Sequence, residues 1–231
     1  MKLCVIGGAG ARSAFLTKSL VKSTRDIRVD HIVLLDNDQQ KLKTYGEISR
    51  ELSRRLDPDL TFEVTSDARA ALTGVDYIIT TIRAGGDAGR LFDEQTCLAH
   101  GVLGQETTGA GGFAMAIRSV PTLVYYCTLA REVANPGHLI FNFTNPSGII
   151  TQALRSKGFD NVYGICDAPS GFIKQLEEIL EIPYGTLDIE CYGLNHLSWF
   201  RNAKVNGRDV QRELLDNPRT YEHSEMRLFT Q

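Results

Sequence analysis

The stretch Lys2-Leu3-Cys4-Val5-Ile6-Gly7-Gly8-Ala9-Gly10-Ala11-Arg12-Ser13 opens the chain with a short apolar run, a glycine turn and the start of a helical pattern. A G-x-G turn between a strand and a helix is the first half of a dinucleotide-binding fingerprint. Gly8 is expected to make the tight turn and Gly10 to let backbone approach a pyrophosphate. The helix opening at Ala11 then presents N–H groups and the positive end of its dipole. Ser13 replaces the third glycine of the fingerprint, a small side chain at a position of close helix–sheet packing. The next apolar run, His31–Leu35, ends at Asp36, 23 residues after Ser13. A carboxylate there accepts hydrogen bonds from ribose hydroxyls and repels a 2′-phosphate, so the expected cofactor is NAD rather than NADP.

Outward from this turn, β-branched runs without strict alternation predict buried parallel strands at Lys2–Ile6, His31–Leu35, Phe62–Thr65, Tyr77–Ile82, Leu139–Phe143 and Val162–Ile165. Helices are expected at Ala11–Val21, Gln39–Arg55, Phe113–Val133, Ser147–Ser156 and Gly171–Leu180, each bounded by glycine, proline or a capping residue. Alternating βα units predict an α/β fold, a Rossmann-like doubly wound and mainly parallel sheet, over residues 1–167. After Pro183 the pattern changes to closely spaced strands, Asp188–Tyr192 and Ser198–Val205, and then a polar tail from Asn206 to Gln231. Residues 168–231 therefore read as the start of a mixed α+β second domain.

The composition narrows the function. Of 231 residues 42% are hydrophobic and 23% charged, which excludes a disordered or fibrous chain. A net charge of −3, with no long run of one sign, leaves no footprint for nucleic acid or an anionic membrane, so a small-molecule partner is expected. The N-terminal apolar run is too short for a signal peptide or a membrane span, which points to the cytoplasm. Five cysteines, without any CxxC spacing, indicate neither a disulfide framework nor a zinc knuckle.

In open α/β sheets ligands collect beyond the carboxyl ends of the strands. After the fourth strand come Arg83-Ala84-Gly85-Gly86, Arg90 and Asp93-Glu94; the glycines allow close approach to a nicotinamide ribose beside Arg83, and Arg90 is placed to face an anion. Read as a mere surface loop, the same residues are a solvated arginine among glycines. Gly104–Gly112 precedes a helix and reads as an anion site or a lid, with or without ligand contact. After the fifth strand, Asn142-Phe143-Thr144-Asn145-Pro146-Ser147 fixes an amide beside a proline, either as a helix cap or as a substrate contact. After the sixth strand come Ile165-Cys166-Asp167-Ala168-Pro169 and, further on, Gly193-Leu194-Asn195-His196. Thiolate and imidazole together suit a first-row divalent metal with open positions, while separately they are a buried cysteine and a core histidine.

Taken in order, Gly7-Gly8-Ala9-Gly10, Arg83 to Glu94, Gly104 to Gly112, Asn145-Pro146, Ile165-Cys166-Asp167-Ala168-Pro169 and Tyr192-Gly193-Leu194-Asn195-His196 resemble the family 4 glycoside hydrolases, NAD- and metal-dependent 6-phospho-glucosidases. The resemblance implies a redox-neutral reaction on a phosphorylated disaccharide or glucoside. Hydride leaves C3 of the sugar for NAD, a base removes the acidified C2 proton, the aglycone is eliminated from C1, water adds, and the hydride returns. It further implies a divalent ion, usually Mn²⁺, on Cys166 and His196, with Asp167 protonating the leaving oxygen and Arg90 and Asn145 touching substrate. Asp167 is the residue typical of α-cleaving members, whereas Thr107-Thr108-Gly109-Ala110-Gly111-Gly112 looks like the β-cleaving ones, and the leaning is to 6-phospho-β-glucosidase. Members of the family are longer, with the tyrosine base in a segment that would follow Gln231. A chain ending there is expected to bind cofactor without efficient turnover, and a homo-oligomer is expected. The other readings are an NAD-dependent hydroxyacid dehydrogenase of the lactate and malate type and, without catalysis, an NAD-binding fragment.

Overall fold

The computed structural model describes residues 1–222, the side chain of Arg25 excepted. It divides between Ile165 and Cys166, so Cys166 and Asp167 belong to the second unit.

The first unit runs β1 (Lys2–Ile6), α1 (Ser13–Ile27), β2 (His31–Leu35), α2 (Gln39–Lys41), a π-helical turn at Leu42–Gly46, α3 (Glu47–Leu56), β3 (Thr61–Thr65), α4 (Ala68–Leu72) and β4 (Tyr77–Thr80). It continues with α5 (Gly86–Ala99), α6 (Gly109–Val133), β5 (Leu139–Asn142), α7 (Ser147–Ser156) and β6 (Val162–Gly164). The six strands are all parallel in the order β3-β2-β1-β4-β5-β6, the doubly wound Rossmann arrangement whose direction reverses between β1 and β4. The central strands β1 and β2 are buried on both faces, which is why they lack alternation. Cys4, Ile6, Val33, Leu35, Ile78 and Ile140 point to one face and pack with Leu123, Cys127 and Ala130 of α6 and Ile150 and Leu154 of α7. Leu3, Val5, Ile32 and Leu34, their neighbours one residue away, point to the other and pack with Val21 of α1. Helix α6 is long and apolar enough to cross a membrane by length and composition, but its buried residues form the floor of this core.

Two expectations need correction. The alternative reading of Arg83 to Glu94 as a surface loop holds only for Arg83–Gly85: after Gly85 (φ +84°) the chain enters α5, which carries Arg90, Asp93 and Glu94. The glycines that suggested flexibility in fact release the chain from β4 into the helix at positive φ, since Gly86 also has φ +61°. Helix α1 starts at Ser13, leaving Ala11 in the preceding turn.

The second unit holds α8 (Ala168–Ile179), a hairpin of β7 (Leu187–Leu194) and β8 (Leu197–Val205), β9 (Arg208–Asp209), α9 (Gln211–Asp216) and α10 (Pro218–Glu222). Its antiparallel sheet has the order β7-β8-β9. Leu176, Ile179, Leu187, Ala203, Val210 and Leu214 form a small separate core. Buried Glu177 ties α8 to the start of β7, its Oε1 accepting from the N–H groups of Thr186 (2.9 Å) and Leu187 (3.0 Å). Residues 223–231 of the expected polar tail lie outside the described residues.

Leu123, fully buried under the sheet, is the test of this core. Leu123→Ala is expected to cost about 2–5 kcal/mol in urea unfolding, and a smaller loss means that α6 does not seal the face.

Candidate functional site

At the sheet's reversal point the N–H groups of Gly7 and Gly8 both bond to Leu35 O, at 2.8 and 3.0 Å. The tight turn belongs to Gly7 (φ +84°), not to Gly8 as the sequence suggested; a Cβ on Gly7 would stand 2.7 Å from Thr81 O. Gly8 instead permits close packing, because its Cβ would lie 2.9 Å from both Leu34 Cβ and Val5 O. At Gly10 a Cβ would meet nothing within 4 Å, so its face is open to an incoming group. Among the described residues no side chain caps the N-terminus of α1; Ser13 N–H is held by Gly10 O at 3.0 Å, so the N–H groups open to an anion are those that follow it in the first turn. Asp36 is fixed beside this turn, Oδ2 accepting from Ala9 N (3.1 Å) and Oδ1 from Asp38 N (3.0 Å). Each carboxylate oxygen keeps a second acceptor site for a hydroxyl.

Beyond β4, Arg83 and Arg90 come together on a residue that the sequence reading left without a role. Glu106 Oε2 lies 3.4 Å from Arg83 Nη2 and 3.4 Å from Arg90 Nη1. Arg90 also bonds Glu94 Oε1 at 2.7 Å, and Arg83 lies 3.4 Å from Asp87. The anion that Arg90 faces is thus supplied by the protein, and with three carboxylates on two guanidiniums this corner suits neutral hydroxyls better than a phosphate. The glycine-rich stretch is likewise explained by packing rather than as a lid: a Cβ on Gly104, Gly111 or Gly112 would strike backbone of Glu94, Gln105 or Thr107 at 2.5–2.6 Å. Gln105 Oε1 takes the N–H groups of Thr107 and Thr108, which removes them from any anion.

At the end of β5 the two asparagines separate in role. Asn142 is fully buried; Thr80 Oγ1 donates to its Oδ1 (2.8 Å), and its Nδ2 donates to Thr151 Oγ1 (3.1 Å) and Ser147 O (3.3 Å). Asn145, joined to Pro146 by a cis peptide, is half-buried and its side chain enters no such network.

In the second unit, Cys166 Sγ and His196 Nε2 lie 3.5 Å apart, both half-buried. Thiolate and imidazole bonds of about 2.3 and 2.1 Å to one ion put the two atoms about 3.1–3.6 Å apart, so the pair fits a shared metal. Among the described residues no group of three or more His, Cys, Asp or Glu side chains is placed to hold a metal, which leaves two protein ligands and open positions. His196 occupies the second position of the two-residue β7–β8 turn with φ +60°, a conformation that a non-glycine residue adopts at a cost. Its neighbour Asn195 has a buried Oδ1 with no hydrogen-bond partner among the described residues. Asp167 is exposed immediately before α8, and its side chain makes no cap bond.

Residues 2–182 match the model of the family 4 glycosyl hydrolases. The 6-phospho-beta-glucosidase BglT of Thermotoga maritima is 35% identical over 219 residues, covering 94% of this chain and 51% of that protein. The phospho-alpha-glucosidase PagL of Clostridium acetobutylicum is 32% identical over 225 residues, covering 94% of this chain and 50% of that protein. Among solved structures, the Thermotoga maritima 6-phospho-beta glucosidase with manganese, NAD+ and glucose-6-phosphate superposes with a TM-score of 0.85 at 34% identity, over 94% of this chain and 53% of that one. The chain spans about half the length of the curated relatives it matches.

Gly7→Ala and Gly8→Ala are expected to destabilise the protein by about 1–3 kcal/mol each, while Gly10→Ala stays within about 0.5 kcal/mol. Equilibrium unfolding of the three variants checks that Gly7 and Gly8 are closed in by their neighbours while Gly10 is open.

Proposed function

The chain belongs to family 4 of the glycosyl hydrolases, and from that premise we propose that it is the cofactor- and metal-holding part of an enzyme that cleaves 6-phospho-glucosides. The observation that carries this reading is the Cys166–His196 pair at 3.5 Å, a thiol and an imidazole at the spacing one shared ion would need, in a chain that also carries a glycine turn with a fixed carboxylate beside it. When bound, NAD would supply a hydride acceptor and donor for the sugar, and a divalent ion a Lewis acid for its oxygens. Gly7, Gly8, Gly10 and Ala11 shape the pyrophosphate side of the cofactor site. Asp36 would accept from its ribose hydroxyls, and Arg83, at the end of β4, would help hold its nicotinamide half. Arg90 and the otherwise unengaged amide of Asn145 hold sugar hydroxyls. Asp167, free of any cap bond, gives its proton to the leaving glycosidic oxygen.

The β-anomer is the proposed substrate, in line with the BglT relative, and Asp167 supports the α-anomer as the second reading. Family membership removes the support for a hydroxyacid dehydrogenase. Five free cysteines, one of them exposed, fit a reducing cytoplasm. Exposed Phe15, Phe92, Leu103 and Phe113 support association of the chain with copies of itself.

Release of p-nitrophenol from the 6-phospho-β- and 6-phospho-α-glucosides, measured with and without NAD and Mn²⁺ in the protein that carries this chain, tests the reading. Cleavage that needs both additions is expected; cleavage without NAD overturns it. The chain itself is expected to bind NAD more tightly than NADP by tenfold or more, and Asp36→Ala to abolish that preference, as fluorescence titration would show. Iodoacetamide is expected to modify Cys166 and Cys191 and to spare Cys4 and Cys127, whose thiols burial pushes up to about 12. Mn²⁺ should protect Cys166 alone, and removing the ion with chelator should restore its labelling.

A further inference from the structure

Arg118, on α6, touches neither proposed ligand, yet it reaches the backbone beside Arg83 and the helix that carries Arg90. Its Nη1 donates to Asp93 Oδ1 at 3.0 Å and its Nη2 to Asp93 Oδ2, a bidentate pair with a carboxylate that is only 6% exposed. Its Nε donates to Ala84 O at 3.3 Å. Ala84 directly follows Arg83, and Asp93 lies three residues beyond Arg90 on α5, close to one turn of the helix. Gly85 leaves the space the guanidinium fills, since a Cβ there would stand 3.0 Å from Arg118 Nε. The heads of Arg83 and Arg90 meet on Glu106 Oε2, while Arg118 ties the carbonyl next to Arg83 to a side chain of the helix that carries Arg90.

We infer that Arg118 is the positioning residue of this corner, fixing the β4–α5 junction so that Arg83 and Arg90 present their guanidiniums at one set separation. The argument rests on the reading of Arg90 as a sugar contact. A planar fork is required, because one side chain must serve a carboxylate with two parallel bonds and a carbonyl with a third. Lysine keeps the charge that buried Asp93 needs but loses that geometry.

The test uses the protein loaded with NAD and Mn²⁺ and titrates glucose 6-phosphate into four forms: unchanged, Arg90→Ala, Arg118→Lys, and the paired Arg118→Met/Asp93→Leu, which removes both charges together. Thermal midpoints and amide hydrogen exchange are read on each. Arg118→Lys is expected to weaken the sugar about tenfold and to speed exchange at residues 84–90. Its midpoint should stay within about 4 °C of the unchanged protein. The paired variant is expected to keep the midpoint and still lose sugar affinity. Arg118→Lys with unchanged sugar affinity, alongside a weakened Arg90→Ala, overturns the inference, and so does faster exchange spread over α5 and α6 with a collapsed midpoint. Unchanged affinity in Arg90→Ala overturns instead the assignment of Arg90 on which the inference rests.

Discussion

Two N–H groups on one carbonyl, Gly7 and Gly8 on Leu35 O, hold the first turn of the chain against the end of β2. That contact is possible only because neither residue has a Cβ: on one side lies Thr81 O, on the other Leu34 and Val5. The turn is squeezed between β2 and β4 at the place where the winding of the sheet reverses, and α1 leaves from it uncapped. Asp36 then locks the turn from outside through Ala9 N, so the carboxylate at the end of β2 also stiffens the glycine loop at the end of β1.

The rest of the carboxyl edge follows from how charge is disposed of there. Thr80, Asn142 and Thr144 satisfy one another in the interior and fill the space between β4 and β5 with fixed dipoles. Arg83, Arg90 and Arg118 are each matched to carboxylates, and Asp93 is the one that is buried. Neutralised in this way, the arginines offer directed hydrogen bonds rather than a broad positive field, which favours orientation of a ligand over capture of any passing anion.

The strands, their parallel pairing and the cofactor turn were legible because they are local signals: a β-branched run, a glycine pair, an acid at a set distance. Even so, the role of Gly8 was misread, since the sequence shows that a glycine is required but not whether the backbone angle or the neighbour across the sheet requires it. Helix α5 was hidden by its glycines, which look like a loop until Gly85 and Gly86 are seen to spend their freedom at the junction alone. Arg118 and Asp93 lie 25 residues apart on different helices, and no periodicity links them. Glu106 stood within a quoted motif, yet its meaning depends on two arginines from another segment. The Cys166–His196 pair was legible as two residues and through the resemblance, while its separation is set by the β7–β8 hairpin, a contact across 30 residues that sequence spacing does not encode.

His196 gives that hairpin a built-in tension. A glycine or asparagine would sit more comfortably at φ +60°, so the backbone of the turn works against the side chain it carries. Exchanging this residue for glycine relaxes the hairpin in the same stroke that removes the imidazole beside Cys166, so backbone comfort and the Cys166–His196 pairing pull against each other at one position, with the sheet around it unaffected.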